Sequence, residues 1–307
     1  MRPAWSVILL TTLIGAAQGL FLAAFIVDVL KADAAKSLVI ASCAISLLLL
    51  AGGLLASFFH LGRPERAWRA ASQWRTSWLS REVIVLPAFM ALVLLYGFLT
   101  VLETSRTFVI AAGLAAAISC IALFICTGMV YACLKFLQEW HTPLTLLNYL
   151  LLGTASGVTL AVPVAVFTFP NFAGVLALAA FLIGAAAYLA RCASLVRNSK
   201  LRPKSTPATA LGIDHPRIVQ KAQGFMGGSF NTREFFHGRP DRVVRAVRWA
   251  FLVLAFPVPA WLLGWGGGSL PSFVAAFIFQ FAGLLAERWY FFAEARHPQN
   301  LYYQSAS

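Results

Sequence analysis

The stretch WHTPLTLLNYLLLGTASGVTLAVPVAVFTFPNFAGVLALAAFLIGAAAYLA, from Trp140 to Ala190, contains no Asp, Glu, Lys or Arg over 51 residues. A helix crosses about 30 Å of hydrocarbon in roughly 20 residues. The stretch is more than twice that length, and Thr168-Phe169-Pro170-Asn171 near its centre is a turn signal. It reads as two membrane-crossing helices joined by a tight turn. Five further charge-free stretches, 3–27, 37–62, 83–102, 107–134 and 249–286, extend the pattern along the chain. The last is interrupted by Gly266-Gly267-Gly268-Ser269-Leu270-Pro271 and splits in the same way. The expected fold is an all-α integral membrane protein with eight transmembrane helices, near 4–30, 37–60, 81–102, 107–134, 144–169, 172–197, 245–265 and 270–294.

Composition agrees. Of 307 residues, 60% are hydrophobic and 11% charged, against about 25% charged in soluble domains. A soluble fold could not cover that apolar surface, and disorder is excluded for the same reason. The first apolar run is too long for a signal peptide and lacks a convincing A-x-A site, so it reads as a helix of the mature chain. The chain is expected to form one membrane domain, 1–307, with a long basic loop at 198–244.

The net charge of +13 would suggest nucleic acid in a soluble protein. Here its placement along the chain argues for membrane orientation instead. With eight spans, the side holding both termini collects 21 of the 24 Lys and Arg; Lys31, Lys36 and Arg106 are left for the other. Even without the long loop the bias persists through Arg63, Arg66, Arg69, Arg75 and Arg81. By the positive-inside rule both termini are expected to be cytoplasmic.

The five Cys show no C-x-x-C and no Cys/His cluster of metal-ligand spacing, which argues against disulfides, zinc and Fe–S ligation within the chain. Gly15-x-x-x-Gly19 and Gly153-x-x-x-Gly157 permit close helix approach, a spacing common in any bundle. Thr11, Thr12 and Gln18 are expected to hydrogen-bond neighbouring helices rather than to mark a site.

The segment richest in chemistry runs from His60-Leu61-Gly62-Arg63-Pro64-Glu65-Arg66 to Trp78-Leu79-Ser80-Arg81-Glu82. His60 ends one helix and Glu82 begins the next, so both lie near one membrane depth. Two readings stand side by side. In one, His60 favours the negative end of its helix and Glu82 the positive end of the next, with Ser80 as N-cap and Arg and Trp as interfacial anchors. In the other, imidazole, carboxylate, guanidiniums and indoles together form a quinone site. Reducing a quinone consumes two electrons and two protons, so its carbonyl oxygens must face groups that can be reprotonated from water. His60 and Glu82 would carry protons at opposite oxygens, with Arg66 or Arg81 stabilising charge.

His60-Leu61-Gly62-Arg63-Pro64-x-Arg66-Ala67, followed by Glu82 in Leu79-Ser80-Arg81-Glu82, resembles the DmsC family of membrane anchors of dimethyl sulfoxide reductase and related molybdenum enzymes. Asn231-Thr232-Arg233-Glu234-Phe235-Phe236-His237 and Gly283-x-x-x-Glu287-Arg288-Trp289-x-Phe291-Phe292 are further matches, and the resemblance covers essentially the whole chain. It implies an anchor in a bacterial inner membrane that holds a molybdopterin catalytic subunit and a four-cluster Fe–S subunit and exchanges electrons with ubiquinone or menaquinone. The residues it associates with quinol are His60, Gly62, Arg66 and Glu82. Family members with exported catalytic subunits put their site on the opposite side; the cytoplasmic orientation resembles the anchors of cytoplasm-facing sulfite dehydrogenases (SoeC-like).

The 198–244 loop, with Phe225, Phe230, Arg233, Phe235 and Phe236, reads as the docking platform for the Fe–S subunit, because aromatic and Arg side chains dominate buried interfaces. A lipid-headgroup-binding loop is the alternative. Asp28, Arg191, Glu287, Arg288 and Glu294 read as snorkelling or paired interfacial charges, with Glu287 or Arg288 as less favoured members of the quinone pocket. All five His lie at loops or helix ends on one side, so no bis-His haem is expected. A transporter would place ionisable residues or broken helices near the midplane, whereas these charges gather at the rim.

Overall fold

The computed structural model describes residues 1–31, 35–59, 61–204, 206–215, 217–219, 221, 234–298 and 300. Among them are ten α-helices: α1 (Trp5–Lys31), α2 (Lys36–Phe58), α3 (Trp78–Val101), α4 (Arg106–Ala132), α5 (Pro143–Thr168), α6 (Ala173–Ser199), α7 (Pro207–Leu211), α8 (Asp241–Leu254), α9 (Pro257–Trp265) and α10 (Leu270–Glu294). Taking α8 and α9 as one segment, eight helices among the described residues are long and apolar enough to cross a membrane.

Both hairpins form where the turn signals lie. After α5, Pro170–Phe172 makes one 3-10 turn before α6. Between α9 and α10, Gly267 and Gly268 adopt positive φ, a region that residues with a Cβ enter only at a steric cost. The seventh span departs from the expected single helix, because it starts at Asp241 rather than 245 and breaks at Ala255–Phe256, just ahead of Pro257. Proline disfavours helical backbone in the residue before it and supplies no N–H of its own. Gly283 on α10 lies against the break, where a Cβ would meet the backbone of Leu254 and Ala255.

At the centre α1 packs on α2 and α5, α5 on α6, and α3 on α4. The α1–α5 crossing is made of backbone. Gly15 faces Gly153, and a Cβ on Gly19 would fall 2.6 Å from the Gly153 carbonyl oxygen and 2.9 Å from Gly157 Cα. The two small-residue motifs are thus one interface. The polar residues of α1 divide. Gln18 Nε2 donates to the Cys120 carbonyl of α4 at 2.9 Å, as expected of an interhelical bond. Thr11 and Thr12 instead donate to their own helix, at Val7 O (2.9 Å) and Ile8 O (2.8 Å). A short hydroxyl reaches its own preceding turn more readily than another helix.

Met1 and Ala295 touch, so the two ends of the described chain lie on one side of the bundle. On the far side, buried Asp28 accepts from the Tyr96 hydroxyl at 2.6 Å and pairs with Arg106 at 2.8 Å, tying α1, α3 and α4 together. Lys36 and Glu103 form an exposed pair beside them.

Candidate functional site

The 61–80 connection is not plain coil. Pro64–Ala71 forms a 3-10 helix, Trp68 and Trp74 are exposed, and α3 begins at Trp78. Its N-cap is Ser77, whose side chain accepts from Ser80 N, not Ser80 as the sequence suggested. Ser77 has the extended backbone a cap requires, while Ser80 is already helical. Glu82 therefore sits in the second turn of α3, one step further into the bundle than a helix-end charge.

That offset decides what its carboxyl meets. Glu82 is only 9% exposed, and the Thr127 hydroxyl of α4 donates to its Oε1 at 2.6 Å. Among the described residues no Lys, Arg or His pairs with it. A buried carboxyl with one neutral donor is an expensive arrangement in an apolar bundle. It has capacity left for a ligand's oxygen and for exchanging a proton with it.

The neighbours expected around it go elsewhere. Arg81 donates to the carbonyls of Trp74 (Nε, 2.9 Å) and Arg75 (Nη2, 2.8 Å), and its guanidinium covers the Trp78 ring at 4.3 Å. It pins the loop to the start of α3. Arg66 is exposed and lies 3.8 Å from Glu65. Gly62 stands in open space, where a Cβ would meet nothing within 4 Å. His60 lies outside the described residues.

Of the residues read as docking groups, Phe225, Phe230 and Arg233 also lie outside the described residues. Phe235 is half-buried and stacks on His297 with ring centroids 3.7 Å apart; Phe236 is half-buried too. The Glu234 carbonyl accepts from Arg2 N, and the Phe235 carbonyl from Asn300. This end of the long loop is thus tied to both ends of the described chain. Burial, helped by the positive N-terminus, holds His297 below its ordinary value of 6.5. The folded state therefore binds fewer protons than the unfolded one, and the stack's contribution, present above pH 6.5, is lost as pH falls through the lower folded value. The protection of the 234–237 amides, taken as exchange relative to the intrinsic rate at each pH, should fall on acidification below about pH 6.5. Replacing His297 with Phe should weaken that dependence and leave the share of His237, which burial likewise holds below its ordinary value.

Four of the charges read as interfacial, Arg191, Glu287, Arg288 and Glu294, form a cluster behind this rim, whereas Asp28 is paired on the far side. Arg191 of α6 (2% exposed) pairs with Glu287 of α10 (0%) at 2.7 Å and with Glu294 at 3.7 Å, and Arg288 Nε donates to Glu287 at 2.6 Å. Arg288 also covers the Tyr149 ring at 4.1 Å, and Tyr149 stacks on Tyr131 of α4. The sequence signal was present: Arg191 and Glu287 each stand about two turns inside the end of their span. Among the described residues there is no group of three His, Cys, Asp or Glu able to hold a metal ion.

Eight apolar spans, with a basic and aromatic rim on the side of both ends and a buried carboxyl just inside it, define a multi-pass membrane protein. The chain belongs to the DMSO reductase anchor subunit (DmsC) family, whose profile matches residues 1–292. It is 52% identical to the C subunit of the sulfite dehydrogenase of Allochromatium vinosum, over 331 aligned positions that take in the whole of both chains.

Proposed function

We propose that this chain is the quinone-reactive anchor of a three-subunit molybdopterin Fe–S oxidoreductase and passes electrons from sulfite oxidation to the quinone pool. The full-length likeness to one component of a sulfite dehydrogenase supports the substrate. The observation that carries the quinone reading is Glu82, a buried carboxyl without a cation partner just inside the rim. Ubiquinone or menaquinone supplies the mobile two-electron carrier.

The partners are a molybdopterin subunit, where sulfite and water give sulfate, two protons and two electrons, and a four-cluster Fe–S subunit that delivers the electrons to this chain. Two electrons and two protons then convert quinone to quinol. Glu82 holds one proton at the edge of the hydrocarbon, and His60 serves the opposite oxygen. Arg81 keeps the 74–78 segment in place, while Gly62 and Arg66 line the loop side. The 198–244 loop docks the Fe–S subunit. This chain carries no haem, and iron and molybdenum belong to its partners. It lies in the bacterial inner membrane with both termini cytoplasmic, an orientation supported by the 21 to 3 partition of Lys and Arg.

Removing the chain tests the reading. The catalytic pair should still oxidise sulfite with a soluble electron acceptor, and sulfite-dependent quinone reduction should disappear. Quinone reduction that persists without this chain would exclude the proposal. Orientation is checked separately: a phosphatase fused after Ser307 should be inactive, and activity in the periplasm would reverse the assignment.

A further inference from the structure

We propose that the groove between α6 and the broken seventh span binds one anionic phospholipid, with an acyl chain in the groove and the phosphate on the basic side chains at the rim above it. The break at Ala255–Phe256 opens a cavity of about 250 Å³, walled by Phe181, Gly184 and Tyr188 of α6 and by Phe256, Pro257 and Ala260 of the broken span. Phe181, Tyr188 and Pro257 are exposed, so the cavity opens outward from the bundle, toward hydrocarbon. Its walls are apolar apart from the Tyr188 hydroxyl and the buried amide of Gln280 on α10. Water finds too few partners in such a place, whereas a hydrocarbon chain loses nothing by entering it.

The rim above supplies the charge. Here α6 and α8 lie side by side and run in opposite directions: the Tyr188 and Phe256 rings meet with centroids 5.1 Å apart, and the Arg191 guanidinium stands 5.5 Å from the Phe251 ring. Nine residues further toward the chain ends, at about 1.5 Å per residue, Lys200 at the end of α6 comes level with Arg242 of α8. Arg245 follows Arg242 by three positions and is its neighbour on the helix surface. Lys200, Arg242 and Arg245 are exposed, and among the described residues no carboxylate pairs with them. With Asp241 of the first turn counted against them, the three cations leave this rim positive.

Depth joins the two features. Arg245 precedes Ala255 by ten residues, about 15 Å along the helix. One leaflet of a roughly 30 Å hydrocarbon core is about 15 Å deep, which is the reach of an acyl chain. Exposed Trp249, between the two, is the residue type that sits at headgroup level. A phosphate held by Arg242 and Arg245 thus sends its chain down to the groove. Guanidinium matches phosphate in charge and in hydrogen-bonding geometry, while a zwitterionic headgroup brings a cation of its own against the same arginines.

The test uses the full chain in a neutral detergent and follows its thermal midpoint as lipid is added. Dioleoyl phosphatidylglycerol should raise the midpoint to a plateau, and dioleoyl phosphatidylcholine should not. Replacing both arginines, Arg242→Gln with Arg245→Gln, should weaken the apparent affinity roughly thirtyfold, about fivefold for each. Gly184→Leu fills the groove from a position where a Cβ meets nothing within 4 Å, and should abolish the response. Equal protection by the two lipids overturns the site, as does equal protection by glycerol phosphate, which has no chain to place in the groove. A double arginine variant that keeps the parental lipid response but no longer copurifies with the Fe–S subunit also overturns it, because the arginines then dock a protein. If the variants fail to fold, mass spectrometry of the parent chain released from micelles decides. One retained anionic phospholipid supports the site, and retention of none, or of zwitterionic lipid alone, overturns it.

Discussion

Replacing Glu82 with Gln is expected to lower quinone turnover per assembled complex by roughly 10², the scale for losing a positioned proton-transfer group. The substitution is close to isosteric. A Gln carbonyl still accepts from the Thr127 hydroxyl that holds Glu82 Oε1 at 2.6 Å, so α3 and α4 should pack unchanged. What disappears is the exchangeable proton. The complex should therefore assemble normally and react at the parental rate with a soluble acceptor, while its reaction with quinone fails. His60→Ala should act in the same direction by removing the proton carrier assigned to the other oxygen. The competing account makes both residues helix-end charges, which contribute about 0.3–1 kcal/mol to stability and nothing to turnover. Normal quinone turnover in both variants would end the site assignment and leave membership of the anchor family untouched.

The second large effect is expected at the α1–α5 crossing. A Cβ on Gly157 would fall on the backbone of Gly19 and Leu20, and one on Gly19 would fall on the carbonyls of Gly153 and Thr154. Overpacking a core costs about 1–3 kcal/mol when side chains can shift aside. Here the obstacles are main-chain atoms, so the helices themselves must separate, and α1 and α5 sit at the middle of the bundle. Gly157→Ala should lower the thermal midpoint clearly, and Gly157→Leu should prevent recovery of folded protein. Gly184→Ala on α6, where a Cβ meets nothing within 4 Å, is the control and should be neutral or stabilising by up to about 1 kcal/mol. Equal behaviour of the two alanine variants would mean that α1 and α5 do not cross backbone to backbone.

The amino-acid sequence alone determined the number of spans and the places where the chain turns back, at 168–171 and 266–271. The reason is solvent. Hydrocarbon hydrates nothing, so each crossing must be about 20 residues nearly free of charge, and only turn residues divide a longer run. The proton-active types near the rim were equally visible, because Glu82 is conspicuous beside so many apolar neighbours.

Only the tertiary structure decided which way those side chains face. In a soluble helix, hydropathy alternates between core and water and reveals the inner face. In a membrane helix the lipid face is as apolar as the core, so that signal vanishes. Nothing in the order of residues required Gly19 to meet Gly157 rather than lipid, or Arg191 to reach Glu287 across 96 positions. Nor did it tell Glu82, turned inward to Thr127, from Arg81 beside it, turned back onto the loop carbonyls. Those choices follow from close packing and from the need of each polar group in lipid to find a partner inside the protein, and both are properties of the assembled bundle rather than of any one helix.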